Sequence, residues 1–293
     1  MDAAKIELKT KFEEALRKFV EGLKSYSTSE DGQWTVKGFI DAFKNVYTIS
    51  SDTKIVSKIL EIHLFPKILE FASENGFKIV PADHQNYYPD ISFVGADDDS
   101  IRFAVDFKTT YRLPTHAGFC NGFTLGSHGE YFINRQSTKN IQFPYSTYLG
   151  HFCLGIIYTR AFDRAVDETK IYGLDDLKSI VSVVKDFDFF VAEKWRIASD
   201  RSGSGNTANI GSIDCIADIV AGRGMFADLG EDVFDDYWMN YGKITTVDKE
   251  TGVEKHIRNL PDFLKFRGLN GEGIVARAKR VRNVNSEVAE DEG

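Results

Sequence analysis

The sequence contains little cysteine and no long apolar run. Its three cysteines, Cys120, Cys153 and Cys215, are odd in number and lie far apart, so neither a disulfide framework nor a zinc site is expected. No segment approaches the roughly 20 apolar residues that a membrane-spanning helix needs, and the charged N-terminus lacks the apolar region of a signal peptide. We therefore expect a cytoplasmic protein with reduced thiols and no membrane partner.

The chain also lacks the excess of positive charge that is usual in nucleic-acid-binding proteins. Its formal net charge is −8 at pH 7, whereas such proteins are commonly basic. Partners respond to local fields rather than to net charge, however, and residues 255–282 contain eight Lys or Arg against two acids. The charge balance therefore leaves a DNA partner open.

Apolar residues at helical spacing predict two helices early in the chain. The first covers residues 4–24, and its apolar face is expected to pack on the core. The second is expected to begin at Ser51 or Asp52, either of which can cap it. Its expected buried stripe consists of three isoleucines, Ile55, Ile59 and Ile62. Pro66 should kink this helix or start a new turn.

Shorter apolar runs predict a β-sheet. Residues 76–111, 151–160 and 186–195 are typical of strands separated by turns, and a further helix is expected around residues 212–221. This order predicts an α/β or α+β fold in which a mixed β-sheet is flanked by helices.

One predicted hairpin carries acids and a lysine. It has the polar tip GADDDS (95–100), with Asp90 at the start of one strand and Asp106 and Lys108 on the other. Because side chains alternate faces along a strand, Asp106 and Lys108 share one face. Two carboxylates can hold Mg²⁺, and a nearby lysine can orient a water or offset negative charge in phosphodiester hydrolysis. A solvated surface pair fits the same pattern, so the pattern by itself does not distinguish a structural hairpin from a metal-dependent site.

The segments around this hairpin carry a more specific pattern. In chain order they are SDTK (51–54), QNYYPD (85–90), VDFKTTY (105–111), FTLG (123–126), TKNI (138–141), YTR (158–160), KW (194–195), GSGNTANIGS (203–212) and DYWMNY (236–241). Together they resemble the EcoRV-type restriction endonucleases, a family of the PD-(D/E)xK nuclease superfamily, over residues 51–241. The segment GSGNTANIGS is the most specific of them.

The resemblance implies catalytic roles at the matching positions. It makes Asp90 and Asp106 the metal-binding carboxylates and Lys108 the catalytic lysine. It makes Glu61 an acid that assists metal binding or water positioning, although a helical glutamate facing solvent fits that position as well. The implied metal is Mg²⁺, with Mn²⁺ able to substitute and Ca²⁺ supporting DNA binding without cleavage.

The resemblance also implies DNA contacts. One matching loop reads the major groove, where glycines allow close approach and Asn206 offers a donor and an acceptor. A second loop lies along the minor groove. The implied base-reading residues of the two loops are Gly203, Ser204, Gly205, Asn206, Thr207, Gln85 and Asn86. The implied contacts to the DNA backbone are Thr53, Lys54, Thr110, Tyr111 and Asn209.

The resemblance implies a homodimer that cuts double-stranded DNA at a short palindrome, each subunit supplying one active site. The implied site is GATATC, cut at its centre to leave blunt ends with 5′-phosphates. His84, Tyr87 and Ala208 depart from the family pattern, so the exact site stays open. A companion DNA methyltransferase is expected functionally and not as a bound partner.

We expect a single endonuclease domain over residues 1–282, followed by an acidic disordered tail over 283–293. Its expected parts are an N-terminal helical and dimerisation part (1–50), a catalytic core (51–160), a DNA-recognition part (161–245) and a basic C-terminal segment (246–282).

Two other readings use the same fold. A repair or junction-resolving nuclease would have no need for a base-reading loop. A catalytically inactive DNA-binding protein would have little reason to retain Asp90, Asp106 and Lys108. A soluble scaffold with a merely structural hairpin is a third reading. It would show neither Mg²⁺-dependent DNA binding nor cleavage.

Overall fold

The computed structural model of the chain describes residues 2–84, 86–161, 167, 169–203, 208–247 and 252–271. The α-helices in these residues are α1 (Ala3–Ser27), α2 (Thr53–Glu74), α3 (Glu130–Ile133), α4 (Ile216–Val220), α5 (Glu231–Asn240) and α6 (Leu260–Arg267). The first strands are β1 (Gly38–Ile40), β2 (Val46–Thr48), β3 (Phe77–Pro81), β4 (Ile91–Gly95), β5 (Arg102–Tyr111), β6 (Thr124–Ser127) and β7 (Gly150–Arg160). The later strands are β8 (Ile171–Tyr172), β9 (Val184–Glu193), β10 (Ala198–Ser202), β11 (Asn209–Ser212), β12 (Thr245–Val247) and β13 (Glu254–His256).

A five-stranded sheet in the order β3-β4-β5-β7-β9 forms the centre of the fold. Strands β5 and β7 are parallel, and the other neighbours are antiparallel. The predicted mixed sheet is thus confirmed, as is the hairpin, in which Ile91 pairs with Val105 and Phe93 with Phe103. Smaller sheets join β1-β2-β8, β10-β11-β6 and β12-β13.

Each face of the central sheet is covered by its own apolar core. Helices α1 and α2 pack on one face, where the Phe12 ring stacks on Phe103 with their centroids 4.1 Å apart. The other face carries Cys153 and Ile157, and packs against α5 and α6 through aromatic residues such as Trp238. A residue of β5 therefore points either to the core under α1 and α2 or to the opposite side of the sheet, where β6 and β11 lie.

The buried stripe predicted for α2 is confirmed at Ile59 and is wrong at the other two isoleucines. The helix is capped by Asp52, whose carboxylate accepts from the amide of Lys54 at 2.9 Å, as predicted. Ile55 and Ile62, however, are 41% and 63% exposed. The buried residues are Val56, Ile59, Leu60, Leu64, Ile68, Phe71 and Ala72. Because α2 carries apolar residues on more than one face, periodicity alone does not select the face that packs on the sheet.

The remaining elements follow the prediction with shifted ends. Helix α1 is longer than predicted, and α2 continues through Pro66 without a new start. The helix expected over 212–221 is only Ile216–Val220, because residues 209–212 form β11 instead. No described helix is long and apolar enough to cross a membrane. The expected acidic tail, and the basic segment from residue 272 onward, lie outside the described residues.

Candidate active site

The hairpin places its acids and its lysine away from the core under α1 and α2. Val105 and Phe107 are buried with α1 and α2, so the intervening Asp106 and the following Lys108 point to the opposite face. Asp90 lies directly before β4, beside the middle of β5. The predicted alternation is confirmed, and it brings two carboxylates and one ammonium group together.

Backbone hydrogen bonds fix these carboxylates relative to each other. The amide of Asp90 donates to Oδ1 of Asp106 at 3.1 Å, and the amide of Phe107 donates to Oδ2 of Asp90 at 2.8 Å. Nζ of Lys108 lies 2.9 Å from Oδ2 of Asp106. Each acid is held by the backbone of the other strand, so the geometry of the site follows from the register of the hairpin.

The site contains two carboxyl groups and one lysine, so acidic groups outnumber basic ones. Burial raises the pKa of Asp90 to about 6, and the neighbouring charge of Asp106 adds to this, while Lys108 opposes it. Burial acts to lower the pKa of Lys108, but the carboxylates of Asp106 and Asp90 outweigh it and raise that pKa. Lys108 is thus a persistent cation between two crowded acids. A second cation would relieve the repulsion that remains between them.

The donor set fits a hard divalent cation with few protein ligands. Carboxylate oxygens are the ligands that Mg²⁺ prefers, and Mg²⁺ retains several waters or phosphate oxygens in most protein sites. Across the described part of the chain, no group of three or more His, Cys, Asp or Glu side chains is placed to hold a metal. The protein would therefore hold the ion through Asp90 and Asp106, and leave positions open for water and substrate.

Glu61 lies beside this pair rather than within it. Its carboxylate is 2.7 Å from Nζ of Lys58, one turn earlier on α2. It shares with Asp90 a cleft of about 330 Å³ on the helix side of the hairpin, and its charge contributes to the raised pKa of Asp90. A role for Glu61 in metal or water positioning stays a prediction.

The face of the hairpin that carries Asp106 and Lys108 opens into a cleft of about 450 Å³. Two residues expected to contact DNA, Asn86 and Asn209, line it together with Asp90, Asp106 and Lys108. Asn209 comes from β11, which pairs with β6 through Ser127. The cleft is also lined by residues without a predicted role: Tyr87, Tyr88, Gly126, Ser127, Glu130, Tyr131 and Asn140.

The base of the expected major-groove loop is well defined. The amide of Gly203 donates to the carbonyl oxygen of Asn209 at 2.8 Å, which closes the loop where β10 and β11 meet. A Cβ at Gly203 would lie 2.7 Å from Cγ2 of Thr124, so this position requires glycine. The remaining expected base-reading residues, Ser204, Gly205, Asn206, Thr207 and Gln85, lie outside the described residues.

The residues expected to contact the DNA backbone are in different settings. Thr53 and Lys54 form the first turn of α2, where Lys54 is exposed. Thr110 is buried, and its hydroxyl donates to the carbonyl oxygen of Asn121. The ring of Tyr111 lies under the guanidinium of Arg160, 3.5 Å from its carbon. The structure thus brings Asn209 to the cleft, whereas it gives the Thr110 hydroxyl an internal acceptor.

A buried polar layer beneath the cleft was missed by the sequence interpretation. Tyr88, two residues before Asp90, shares a hydrogen bond of 2.9 Å between its hydroxyl and Nδ1 of His151. Burial lowers the pKa of His151 well below its usual value, and the charge of Lys194 adds to this. Lys194 itself is buried beside the same rings. Among the segments that resemble the family, only QNYYPD (85–90) and KW (194–195) contribute residues to this polar layer, and neither pattern predicts that Tyr88 and Lys194 come together.

Comparisons with known proteins identify the family of the chain. The family model described as restriction endonuclease EcoRV matches residues 30–268. The chain is also similar to the type II restriction enzyme EcoRV of Escherichia coli, with 35% identity over 230 residues, which are 78% of this chain and 91% of that protein. Restriction endonucleases of this family use divalent metal ions. The hairpin with its paired carboxylates lies inside the matched region, and the chain belongs to the EcoRV family of type II restriction endonucleases, site-specific deoxyribonucleases that bind duplex DNA.

Proposed function

We propose that this chain is a homodimeric, Mg²⁺-dependent endonuclease that cuts GATATC at its centre and leaves blunt ends with 5′-phosphates. The observation that carries the catalytic part is the mutual backbone support of Asp90 and Asp106, with Lys108 2.9 Å from Asp106. This arrangement has the charge and the oxygen ligands that metal-assisted phosphodiester hydrolysis needs.

Each residue of the hairpin has a distinct part in that reaction. Asp90 and Asp106 would hold Mg²⁺, which when bound polarises the phosphoryl oxygens and lowers the pKa of a coordinated water. Lys108 places a cation beside the scissile phosphate and can orient the attacking water. Because both acids are fixed by backbone amides, the ligands need little rearrangement when substrate arrives. Glu61 would act from the helix side, through water or the ion.

The proposed sequence specificity rests on the loop between β10 and β11. The segment GSGNTANIGS, including Asn206 and Thr207, offers amide and hydroxyl groups suited to base edges in the major groove. Asn86, at the rim of the cleft, would lie along the minor groove. The central TA step of GATATC unstacks easily, so bending there would add specificity without direct contact. Ala208 is the departure inside the loop that bears most directly on the exact site.

The proposed dimer rests on an exposed apolar surface away from the cleft. The small sheet β1-β2-β8 and the segment after it expose several large apolar side chains. They are Phe39, Ile40, Phe43, Tyr47, Ile171, Leu174 and Leu177, which we name the small-sheet surface. A patch of this kind on a soluble enzyme marks an interaction site. A second copy is the expected occupant, because a twofold DNA site is matched by a twofold protein. We place the enzyme in the cytoplasm, where a methyltransferase of the same specificity would protect host DNA.

The decisive experiment is digestion of a sequenced plasmid with several GATATC sites, with fragment ends mapped. Mg²⁺, Mn²⁺, Ca²⁺ and no metal form its arms. Lys108→Ala controls for contaminating nuclease, and Lys67→Ala is the matched surface control, since Lys67 lies on the outer side of α2.

We expect blunt cuts at GATATC with Mg²⁺ or Mn²⁺, and none with Ca²⁺ or with Lys108→Ala. Discrete cuts at another sequence would retain the chemistry and replace the proposed site. Tight specific binding without any cutting would favour a DNA-binding protein that has lost catalysis. Cutting governed by DNA structure rather than sequence would favour a repair or junction-resolving nuclease.

A further inference from the structure

Lys194 is a buried lysine with no polar partner among the described residues. It follows β9 in the short helical turn Lys194–Ile197 and is 2% exposed. Its Nζ lies 5.0 Å from the ring centre of Tyr88, 5.3 Å from that of Phe132 and 5.7 Å from that of Tyr145. In the part of the chain that the structure describes, Nζ makes neither a hydrogen bond nor an ion pair. The faces of these three rings therefore surround the ammonium group, and we name them the Lys194 cage.

A glycine separates this ammonium group from the catalytic cleft. Gly126 of β6 has φ +89°, and a Cβ built on it would lie 3.3 Å from Nζ of Lys194 and 3.2 Å from the hydroxyl of Tyr131. Gly126, Tyr131 and Tyr88 all line the cleft that holds Asp106 and Lys108. Lys194 thus lies directly behind the cleft wall at the one place in β6 where no side chain intervenes.

A partly buried lysine, Lys9, has local carboxylate partners, in contrast to Lys194. Lys9 of α1 pairs with Glu193 and lies 3.5 Å from Glu231, so its charge is neutralised locally. Lys194, the next residue after Glu193, has no such partner among the described residues. A buried charge without a partner opposes folding. A buried charge without a partner that lies beside a cleft is typical of functional sites.

The carboxylate with the strongest electrostatic effect on Lys194 is that of Asp106, in the candidate active site. Burial lowers the pKa of Lys194 to about 8, and among the groups that act in the opposite direction the carboxylate of Asp106 ranks first. Most Lys194 side chains therefore carry their proton at neutral pH.

We propose that Lys194 is a positioning residue of the hydrolytic site, and that its caged ammonium supplies a fixed positive charge behind Asp106 and Lys108. The inference rests on the proposed roles of those two residues. A cation held by ring faces does not reorganise when negative charge develops on the phosphoryl group. It also offsets the crowding of the two acids without occupying a ligand position. Lys194 does not touch substrate; it acts across the Gly126 wall.

The test is Lys194→Met, which keeps an unbranched side chain in the cage and removes the charge. We expect the maximal cleavage rate to fall about tenfold or more, the effect of one charge through a low-dielectric wall. The concentration of Mg²⁺ at half-maximal rate should stay the same or fall, because the site becomes more negative. The unfolding temperature of the metal-free protein should stay the same or rise, since an unpaired buried charge has been removed.

A structural role gives the opposite signs. If Lys194 only supports packing, Lys194→Met lowers the unfolding temperature and raises the Mg²⁺ requirement along with any loss of rate, and the inference is wrong. An unchanged maximal rate in Lys194→Met overturns the inference and leaves the proposed function standing, provided that Lys108→Ala is inactive. Cleavage by Lys108→Ala would instead overturn the proposed function itself.

Lys9→Met is the matched control. It removes a partly buried lysine that has carboxylate partners, so it should lower the unfolding temperature and leave the maximal rate unchanged well below that temperature. If Lys194→Met does not accumulate as folded protein, Lys194→Gln replaces it. This side chain is also neutral and keeps a polar end in the cage, and the same outcomes apply to it.

Discussion

Asp90 donates its backbone amide to Oδ1 of Asp106 at 3.1 Å, and so the acid before β4 is held by the acid in β5. The reverse support comes from the residue after Asp106, since the amide of Phe107 donates to Oδ2 of Asp90 at 2.8 Å. The separation of the two carboxylates is therefore set by strand pairing rather than by free side-chain rotation. A site built in this way is positioned before metal or DNA arrives.

Asp90→Asn should stabilise the metal-free protein at alkaline pH. The pKa of Asp90 is raised from 3.8 to about 6 in the folded state. The stability that its bound proton contributes is thus fully present below about pH 4 and is lost as the pH rises through about 6. We expect Asp90→Asn to increase the free energy of unfolding by about 1–3 kcal/mol at pH 8, and to change it little at pH 4.

Urea unfolding in the presence of a chelator, at both pH values, measures this difference. Asp97→Asn, at the exposed tip of the same hairpin, is the control, and it should change the free energy of unfolding little at both pH values. An equal stability of Asp90→Asn and the parent at pH 8 would contradict the raised pKa.

Glu61→Gln should slow cleavage about tenfold, a smaller loss than that of Lys108→Ala. The chain supplies a closely matched control in Glu70→Gln. Glu61 and Glu70 both lie on α2, and each pairs at 2.7 Å with a lysine three residues earlier. Both variants lose an equivalent surface pair, which contributes little to stability. Single-turnover cleavage separates them, and equal rates for the two variants would remove Glu61 from the site.

Phe43→Asp should convert the proposed dimer to monomer. Phe43 is 86% exposed on the small-sheet surface, where a carboxylate would have to be desolvated on association. Phe266→Asp, at another exposed phenylalanine far along the chain, is the control and should leave assembly unchanged. Sedimentation velocity over a range of concentrations measures the masses. A parent protein that is monomeric at every concentration would contradict the proposed assembly.

The local part of the site is predictable from the sequence, and the long-range part is not. Strand alternation places Asp106 and Lys108 on one face whichever strands flank β5. In contrast, the apolar pattern of α2 selects Ile55 and Ile62, which are exposed, because packing against the sheet decides among several apolar faces. The cage of Lys194 is built from residues distant in sequence, so the dipeptide KW carries no sign of it.

Only one of the three thiols should react quickly in the folded protein. Burial raises the pKa of all three thiols, to about 12 for Cys120 and Cys153, but Cys215 is only partly buried and is open to reagent from solvent. The thiolate is the reactive form, so at pH 8 we expect fast labelling at Cys215 and labelling of the other two only on unfolding. Mass spectrometry after a short pulse of alkylating reagent identifies the labelled sites. Early labelling of Cys153 would contradict its position in the sheet.

Phe12→Ala should destabilise the protein by about 3–5 kcal/mol, the usual result of emptying a buried aromatic site. The ring of Phe12 contacts five other phenylalanine rings, one from α2 and four from strands β3, β4, β5 and β7 of the central sheet. Ile6→Ala, at an exposed position of the same helix, should cost less than about 1 kcal/mol. Chemical denaturation of both variants provides the comparison, and equal losses would show that α1 is not anchored through Phe12.

Strands β6 and β11, which form one wall of the cleft, come later in the chain than the hairpin and are therefore synthesised after it. The acids and the lysine of the hairpin are close in sequence and are synthesised before the residues of β6 and β11. Asn209, across the cleft, is added much later. A nascent chain that ends before β11 therefore contains the acids and the lysine of the hairpin but lacks Asn209, one of the residues expected to contact DNA.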